Sequence, residues 1–185
     1  MEFDLSWLVG MVTTALAAAT GAYVSARLGV AHAERTEADR SRRDSAERLV
    51  TSLTTLRSLL RAVQDNRDVE PWIAAVNDVY DEIEDARFRL PQSFRHFQQS
   101  IRIALGEAVG GVSLVDLRSS RGREELSDYN HRWNEYAIEY IEMTMGAVRE
   151  WRDASAKAAP NVRLLGFDAW LAKTNRYVHD ESAAD

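Results

Sequence analysis

At 185 residues the chain is long enough for one folded unit with a real core plus an anchor, and 45% hydrophobic with 28% charged residues is an ordinary balance for a folded protein. The formal net charge of -6 argues against a dedicated nucleic-acid binder, which carries a basic surface, so no nucleic-acid partner is expected. Cysteine is absent, which excludes disulfides and thiolate metal sites and leaves packing to hold the fold together.

The first element is the run LSWLVGMVTTALAAATGAYVSA, residues 5–26, which carries no charge until Arg27. As a helix, its 22 residues are about 33 Å long against a hydrocarbon core of about 30 Å. Trp7 and Tyr23 fall near its two ends, where amphipathic rings favour the headgroup level. The sequence therefore predicts a single transmembrane helix over 5–29. A cleaved signal peptide is the chief alternative, because Ala31-His32-Ala33 has the small-x-small form of a cleavage site. Its Met1-Glu2-Phe3-Asp4 start is acidic, however, and the apolar run exceeds the usual length of about 7 to 15 residues. A buried helix of a soluble protein is the third reading, and it needs a large protein around it. No Lys or Arg precedes the run, whereas Arg27, Arg35, Arg40, Arg42 and Arg43 follow it closely. That asymmetry predicts a cell (inner) membrane protein with its N-terminus outside and its C-terminal domain in the cytoplasm.

Along the span Thr13, Ala17, Gly21, Ser25 and Gly29 recur every fourth residue. Such a stripe of small side chains lets two helix backbones approach closely, so the expected partners, besides membrane lipid, are a second copy or a subunit of a membrane complex. Residues 30–48 follow as a charged juxtamembrane stalk helix. Its arginines are interleaved with Glu34, Glu37, Asp39, Asp44 and Glu47, the pattern of a solvated, salt-bridged helix and not of a polybasic lipid patch. An Ala/Gly/Thr-rich span followed by AERTEADRSRRDSAERLV and a helical region resembles the small membrane-anchored helical proteins of actinobacteria. The resemblance is architectural, covers about the first third of the chain and rests on no diagnostic motif; it implies neither an activity nor site residues.

From 49 to 178 the pattern is that of an antiparallel helical bundle, so the fold class is all-α. Leu49, Leu53, Leu56, Leu60 and Val63 have the 4-3-4-3 spacing of a bundle or coiled-coil seam. A second helix starts near Pro71 and carries Trp72, Val76, Val79, Ile83, Ala86 and Leu90 on one face up to Pro91. A third runs from about 92 to Gly110-Gly111 with Phe94, Phe97, Ile101, Leu105 and Ala108 as its buried edge, and 111–122 forms an irregular connection. The fourth covers roughly 123 to 157, with Leu126, Tyr129, Trp133, Tyr136, Ala137, Tyr140, Met143, Ala147 and Trp151 on the buried arc. Thr144 falls in the same arc, its hydroxyl placed to bond a carbonyl one turn earlier. Beyond Pro160 a short last helix is anchored by Leu164, Phe167, Trp170, Leu171 and Tyr177, and 179–185 reads as a disordered tail.

Helical bundles host carboxylate-bridged metal sites when acid-x-x-His pairs point inward from facing helices. Asp128 and His131, with Glu135, Glu139 and Glu142, are the nearest match, but they centre on the side of the fourth helix opposite the aromatic arc and no second acid-x-x-His pair exists. They read as a solvated acidic ridge. The segment GEAVGGVS at 106–113 lacks the Gly-Lys-Ser/Thr ending of a phosphate loop, and its glycines read as a helix stop. No catalytic, cofactor-binding or metal-binding residue is therefore assigned. The expected function is a single-pass, membrane-anchored, non-enzymatic interaction or scaffold module that self-associates. The alternative is a regulatory or sensing subunit of a larger membrane complex serving transport, the envelope or phage defence.

Overall fold

The structure, a computed structural model, describes residues 5–62, 69–109 and 130–176, and side chains from Arg27 onward except Leu28 and Ala31. Among the described residues it is all helical, with five α-helices and no strand. The chain divides into two compact units, Met1–Ser41 and Arg42–Asp185.

Helix α1 runs Leu5–Arg61 without interruption. In the first unit its residues 32–38 are exposed on every side, tied locally by an Arg40–Glu37 pair at 3.5 Å and by Thr36 Oγ1, which donates to the His32 carbonyl at 2.9 Å. Among the described residues no helix is long and apolar enough to cross a membrane. The side chains of 5–26, on which the predicted span rests, lie outside those residues.

In the second unit α1 contributes Ala46, Leu49, Leu53, Leu56 and Leu60, all fully buried, on the seam that the sequence predicts. Val63, the last residue of that seam, is outside the described residues. Arg42 and Ser45, placed by the sequence in the stalk, are buried as well, so the compact unit begins at Arg42. The outer face of α1 is rich in Ser and Thr, which are mediocre helix formers. Thr51, Ser52, Thr54, Thr55 and Ser58 each donate a hydroxyl to the carbonyl four residues back, which satisfies them inside the helix.

Helix α2, Val69–Ala86, opens with Pro71 in its first turn, where a missing N–H costs nothing. It buries Trp72, Ala75, Val76, Val79, Ile83 and Ala86. It ends four residues earlier than the sequence suggests. The residue before a proline avoids the helical region, so Leu90 cannot continue the helix ahead of Pro91. The Arg89 and Leu90 amides close a turn on the Ala86 carbonyl, at 2.8 and 3.0 Å, and Leu90 is half-buried in that turn. A 3₁₀ turn, Gln92–His96, then leads into α3, Phe97–Val109, and Phe94, Phe97, Ile101, Leu105 and Ala108 are all buried as predicted. Gly111 and the rest of 111–122 lie outside the described residues, as does Gly110.

Helix α4, His131–Asp153, is capped by Asn130, whose extended backbone lets its side chain accept the Trp133 amide at 3.1 Å. The Asn130 amide donates to the Ala108 carbonyl at 3.0 Å, which fixes the start of α4 beside the end of α3. The helix stops at Asp153, not at 157, and the guanidinium of the buried Arg42 donates to the Ala154 carbonyl at 2.7 Å, a cation at the negative end of the helix dipole. A 3₁₀ turn, Ala159–Asn161, precedes the short helix α5, Phe167–Lys173.

The order of contacts makes the four long segments antiparallel in sequence. Arg48 of α1 meets Glu82 near the end of α2 at 2.8 Å. Phe94, ahead of α3, meets Trp151 near the end of α4, with ring centroids 6.4 Å apart. Along α1 and α4, Glu47 meets Arg152 while the Leu60 carbonyl accepts from Asn134 Nδ2 at 3.0 Å. Helix α5 lies across α3 and α4: the Phe167 amide donates to Ser100 Oγ, and the Tyr140 hydroxyl donates to the Leu165 carbonyl at 2.8 Å. Phe167 meets Tyr140 edge-on at 5.1 Å and stacks on Trp170 at 5.9 Å.

Candidate functional site

The ridge on α4 that drew attention in the sequence is used for holding helices together. Glu142 accepts from Arg57 and Arg61 of α1 at 3.3 and 2.7 Å. Glu139 takes Arg176, and the Arg176 guanidinium lies 4.7 Å from both the Tyr136 and Trp170 ring centroids, a cation held between two aromatic faces. His131 faces Glu135 at 3.5 Å, one turn along the same helix. Among the described residues no group of three His, Asp or Glu side chains comes together to hold a metal ion. Asp128, the fifth member of the ridge, lies outside them, as do Leu126, Tyr129, Tyr177 and the 179–185 tail.

The buried arc of α4 is also not the one drawn from its rings. Asn134, Ala137, Ile141, Thr144, Val148 and Trp151 form the buried seam, flanked by Tyr140, Met145 and Ala147. Taken at 100° per residue, this arc is turned by about 60° from the aromatic one. Tyr136 and Met143 are accordingly only half-buried; Trp133, five turns before Trp151 on the same line of the helix, is half-buried near the N-terminal end of α4, resting on Tyr136 and Phe167 at 5.6 and 6.4 Å. Thr144 is fully buried without the expected back-bond. Burial pushes the Tyr140 phenol above its usual range, with the Ser100 and Thr144 hydroxyls pulling it part of the way back.

A different place, the corner between α2 and α3, combines concavity, charge and an exposed ring. The turn Arg87-Phe88-Arg89 puts Phe88 into solvent at 96% exposure, with the Arg87 guanidinium 6.0 Å from its ring. On one side lies an open groove of about 450 Å³ lined by Glu84, Arg87, Leu90, Arg95 and Gln98 among others. On the other, a groove of about 570 Å³ is lined by Arg95, His96 and Arg163 with Asn161 and Leu164. Arg95 belongs to both. Arg87 pairs with Glu84 at 3.0 Å, both side chains being exposed; Arg89 donates to the Asp85 carbonyl at 2.6 Å; and Arg95 Nε donates to His96 Nε2 at 3.0 Å. Farther along, the Tyr80 hydroxyl is buried without a hydrogen-bond partner; burial raises its phenol pKa and the Arg102 charge lowers it part of the way back.

No family model, curated protein or solved structure matches this chain. What the corner can do therefore rests on its own chemistry. It holds guanidinium groups beside a solvent-facing aromatic ring, a combination suited to the binding of an anion.

Sequence patterning passes this corner by because its residues do not recur at helical spacing. The legible signal is charge: residues 86–106 contain Arg87, Arg89, Arg95, Arg102 and His96 and no Asp or Glu, within a chain of net charge -6. Of the small-residue stripe, the Thr13, Ala17, Gly21 and Ser25 side chains lie outside the described residues. Gly29 is exposed, and a Cβ added there meets nothing within 4 Å.

Proposed function

We propose that this protein is a single-pass, membrane-anchored, non-enzymatic helical interaction module. Its uncharged residues 5–26 cross the cell membrane with the N-terminus outside, and the bundle works in the cytoplasm. The observation that carries the reading is the asymmetry about that run: two acids and no base before it, and Arg27, Arg35, Arg40, Arg42 and Arg43 after it. The bundle supports it, because Glu47, Glu82, Glu139 and Glu142 are engaged in pairs between separate chain segments, as in a module that holds its shape to present a surface. Self-association through Thr13, Ala17, Gly21, Ser25 and Gly29 belongs to the same proposal.

A cysteine-free chain makes the test clean. Ser6→Cys and Ser182→Cys are labelled in intact cells with a membrane-impermeant maleimide. Labelling at 6 and not at 182 is expected; the reverse pattern refutes the orientation, and loss of the first 33 residues from the mature mass shows cleavage instead. The second reading, a regulatory or sensing subunit of a larger membrane complex, is favoured by the exposed Phe88 and its arginines. A discrete stoichiometric partner co-purifying from native membranes supports it, and homo-oligomers alone count against it.

A further inference from the structure

The two open grooves share Arg95 but differ in charge. The one beside α2 also carries Glu84, which pairs with Arg87. The other lies wholly within the second unit, between the 3₁₀ turn Gln92–His96 and the chain from the 3₁₀ turn Ala159–Asn161 to Leu165, and no acid lines it. Its charge comes from two acid-free stretches that fold against each other: 86–106, with Arg95 and His96, and 154–167, with Lys157 and Arg163. Ser93 Oγ ties the two walls by donating to the Val162 carbonyl at 2.6 Å, and Phe94 on one wall and Val162 and Leu164 on the other are buried, so the groove is held open by packing.

We propose that this groove binds a small organic phosphate, with the phosphate between Arg95 of one wall and Arg163 of the other and the organic part laid on Pro160 and Leu165. Three properties fit that ligand. Among the described residues neither arginine is paired with a carboxylate; Arg95 engages only its Nε, on His96 Nε2 at 3.0 Å, so its two terminal nitrogens are left for a ligand. Guanidinium groups present forked donors that match phosphate oxygens. The extended wall adds donors of its own: among the described residues the amides of Arg163, Leu164 and Leu165 make no hydrogen bond, while the Val162 and Leu165 carbonyls are taken by the Ser93 and Tyr140 hydroxyls.

Size decides between a small ligand and a protein segment. The groove encloses about 570 Å³, within the range of about 300 to 1,000 Å³ usual for small-molecule sites and more than a bare phosphate fills. A protein partner is anchored by large apolar side chains, and neither wall exposes one: Val162 and Leu164 are already buried and Leu165 is half-buried. Such a site gives the interaction module a ligand of its own and does not depend on residues 5–29.

The test titrates the full chain in mild detergent with phenyl phosphate by isothermal calorimetry at fixed ionic strength, with benzoate and inorganic phosphate as comparison ligands. One equivalent of phenyl phosphate is expected to bind, with benzoate and inorganic phosphate each weaker by about tenfold. Arg95→Gln and Arg163→Gln are each expected to weaken it by about tenfold or more, and Arg163→Lys, which keeps the charge and loses the fork, by less. Both arginines are exposed, so the helical circular dichroism of these variants should match that of the unchanged chain. Arg87→Gln, in the other groove, should bind as before. No binding by the unchanged chain, or an affinity indifferent to both glutamine variants, overturns the site. An equal loss in Arg87→Gln overturns the groove in favour of the α2–α3 corner, and benzoate binding as tightly as phenyl phosphate overturns the phosphate assignment. Polyglutamate that binds through Arg95 and Arg163 where phenyl phosphate does not overturns the small ligand in favour of an acidic protein partner.

Discussion

Replacing Trp151 by alanine tests how deeply the C-terminal end of α4 is packed, on a line of the helix that Trp133 shares five turns earlier. The indole is 1% exposed and touches Phe94 across the interface between α3 and α4. A buried indole removes about 200 Å² from water, worth about 5 kcal/mol at 25 cal/mol per Å². The part that alanine retains, and the compactness of the unfolded chain, reduce this to about 3 kcal/mol, and the cavity left behind adds to it, so the expected loss is about 3 to 5 kcal/mol. Trp133→Ala is the matched control. Its ring is half-buried against Tyr136 and Phe167, so the expected loss is about half as large. Both are read from guanidinium titrations of the full chain in mild detergent, followed by far-ultraviolet circular dichroism. The large loss at 151 and the small one at 133 should appear as shifted midpoints with unchanged slopes. A loss at 133 as large as that at 151 would refute the difference in burial between the two ends of α4.

Asn134→Ala removes the amide that donates to the Leu60 carbonyl near the end of α1, leaving a buried acceptor unpaired, and should cost about 1 to 3 kcal/mol by the same titration; no change would mean that water replaces the bond. Glu142→Gln cuts the tie to Arg57 and Arg61, but these groups are partly exposed, so the expected loss is below about 1 kcal/mol and should shrink further in high salt. Burial raises the Tyr140 phenol pKa in the folded state, so the unfolded chain releases that proton first and stability should fall as pH rises past about 10. Tyr140→Phe should flatten that fall without abolishing it, because Tyr80 is shifted the same way, and an unchanged alkaline limb would remove Tyr140 from the account. Gly21→Leu inserts a bulky side chain into the proposed association stripe and should weaken crosslinking in membranes by an amount equivalent to about 1 to 2 kcal/mol, with Ala22→Leu as the off-stripe control.

Much of the bundle is written in the sequence by itself. The seam from Leu49 to Leu60, the face of α2 from Trp72 to Ala86 and the edge of α3 from Phe94 to Ala108 are all buried where periodicity puts them. Each of these helices presents one apolar stripe, and a single stripe can be buried in only one way. The end of α2 was not legible, because Pro91 restricts Leu90 alone while the helix stops at Ala86, four residues before it.

Tertiary structure decided what periodicity leaves ambiguous. Helix α4 carries apolar residues over more than half its circumference, so its sequence permits several orientations. Its neighbours choose among them: α1 and α3 flank it, and small or β-branched Ala137, Ile141, Thr144 and Val148 let those backbones approach, while the broad rings of Trp133 and Tyr136 are left to the edge, where α5 and Arg176 cover them in part. The fate of the charges is equally nonlocal. Glu142 reads as a solvated acid along its own helix and becomes an interhelical tie only because Arg57 and Arg61, more than 80 residues earlier, are folded against it. Phe88 falls by sequence within the helix drawn to Leu90, off its apolar face. It stands in water because α2 ends two residues before it and the next buried ring, Phe94, is already committed to Phe97 and Trp151.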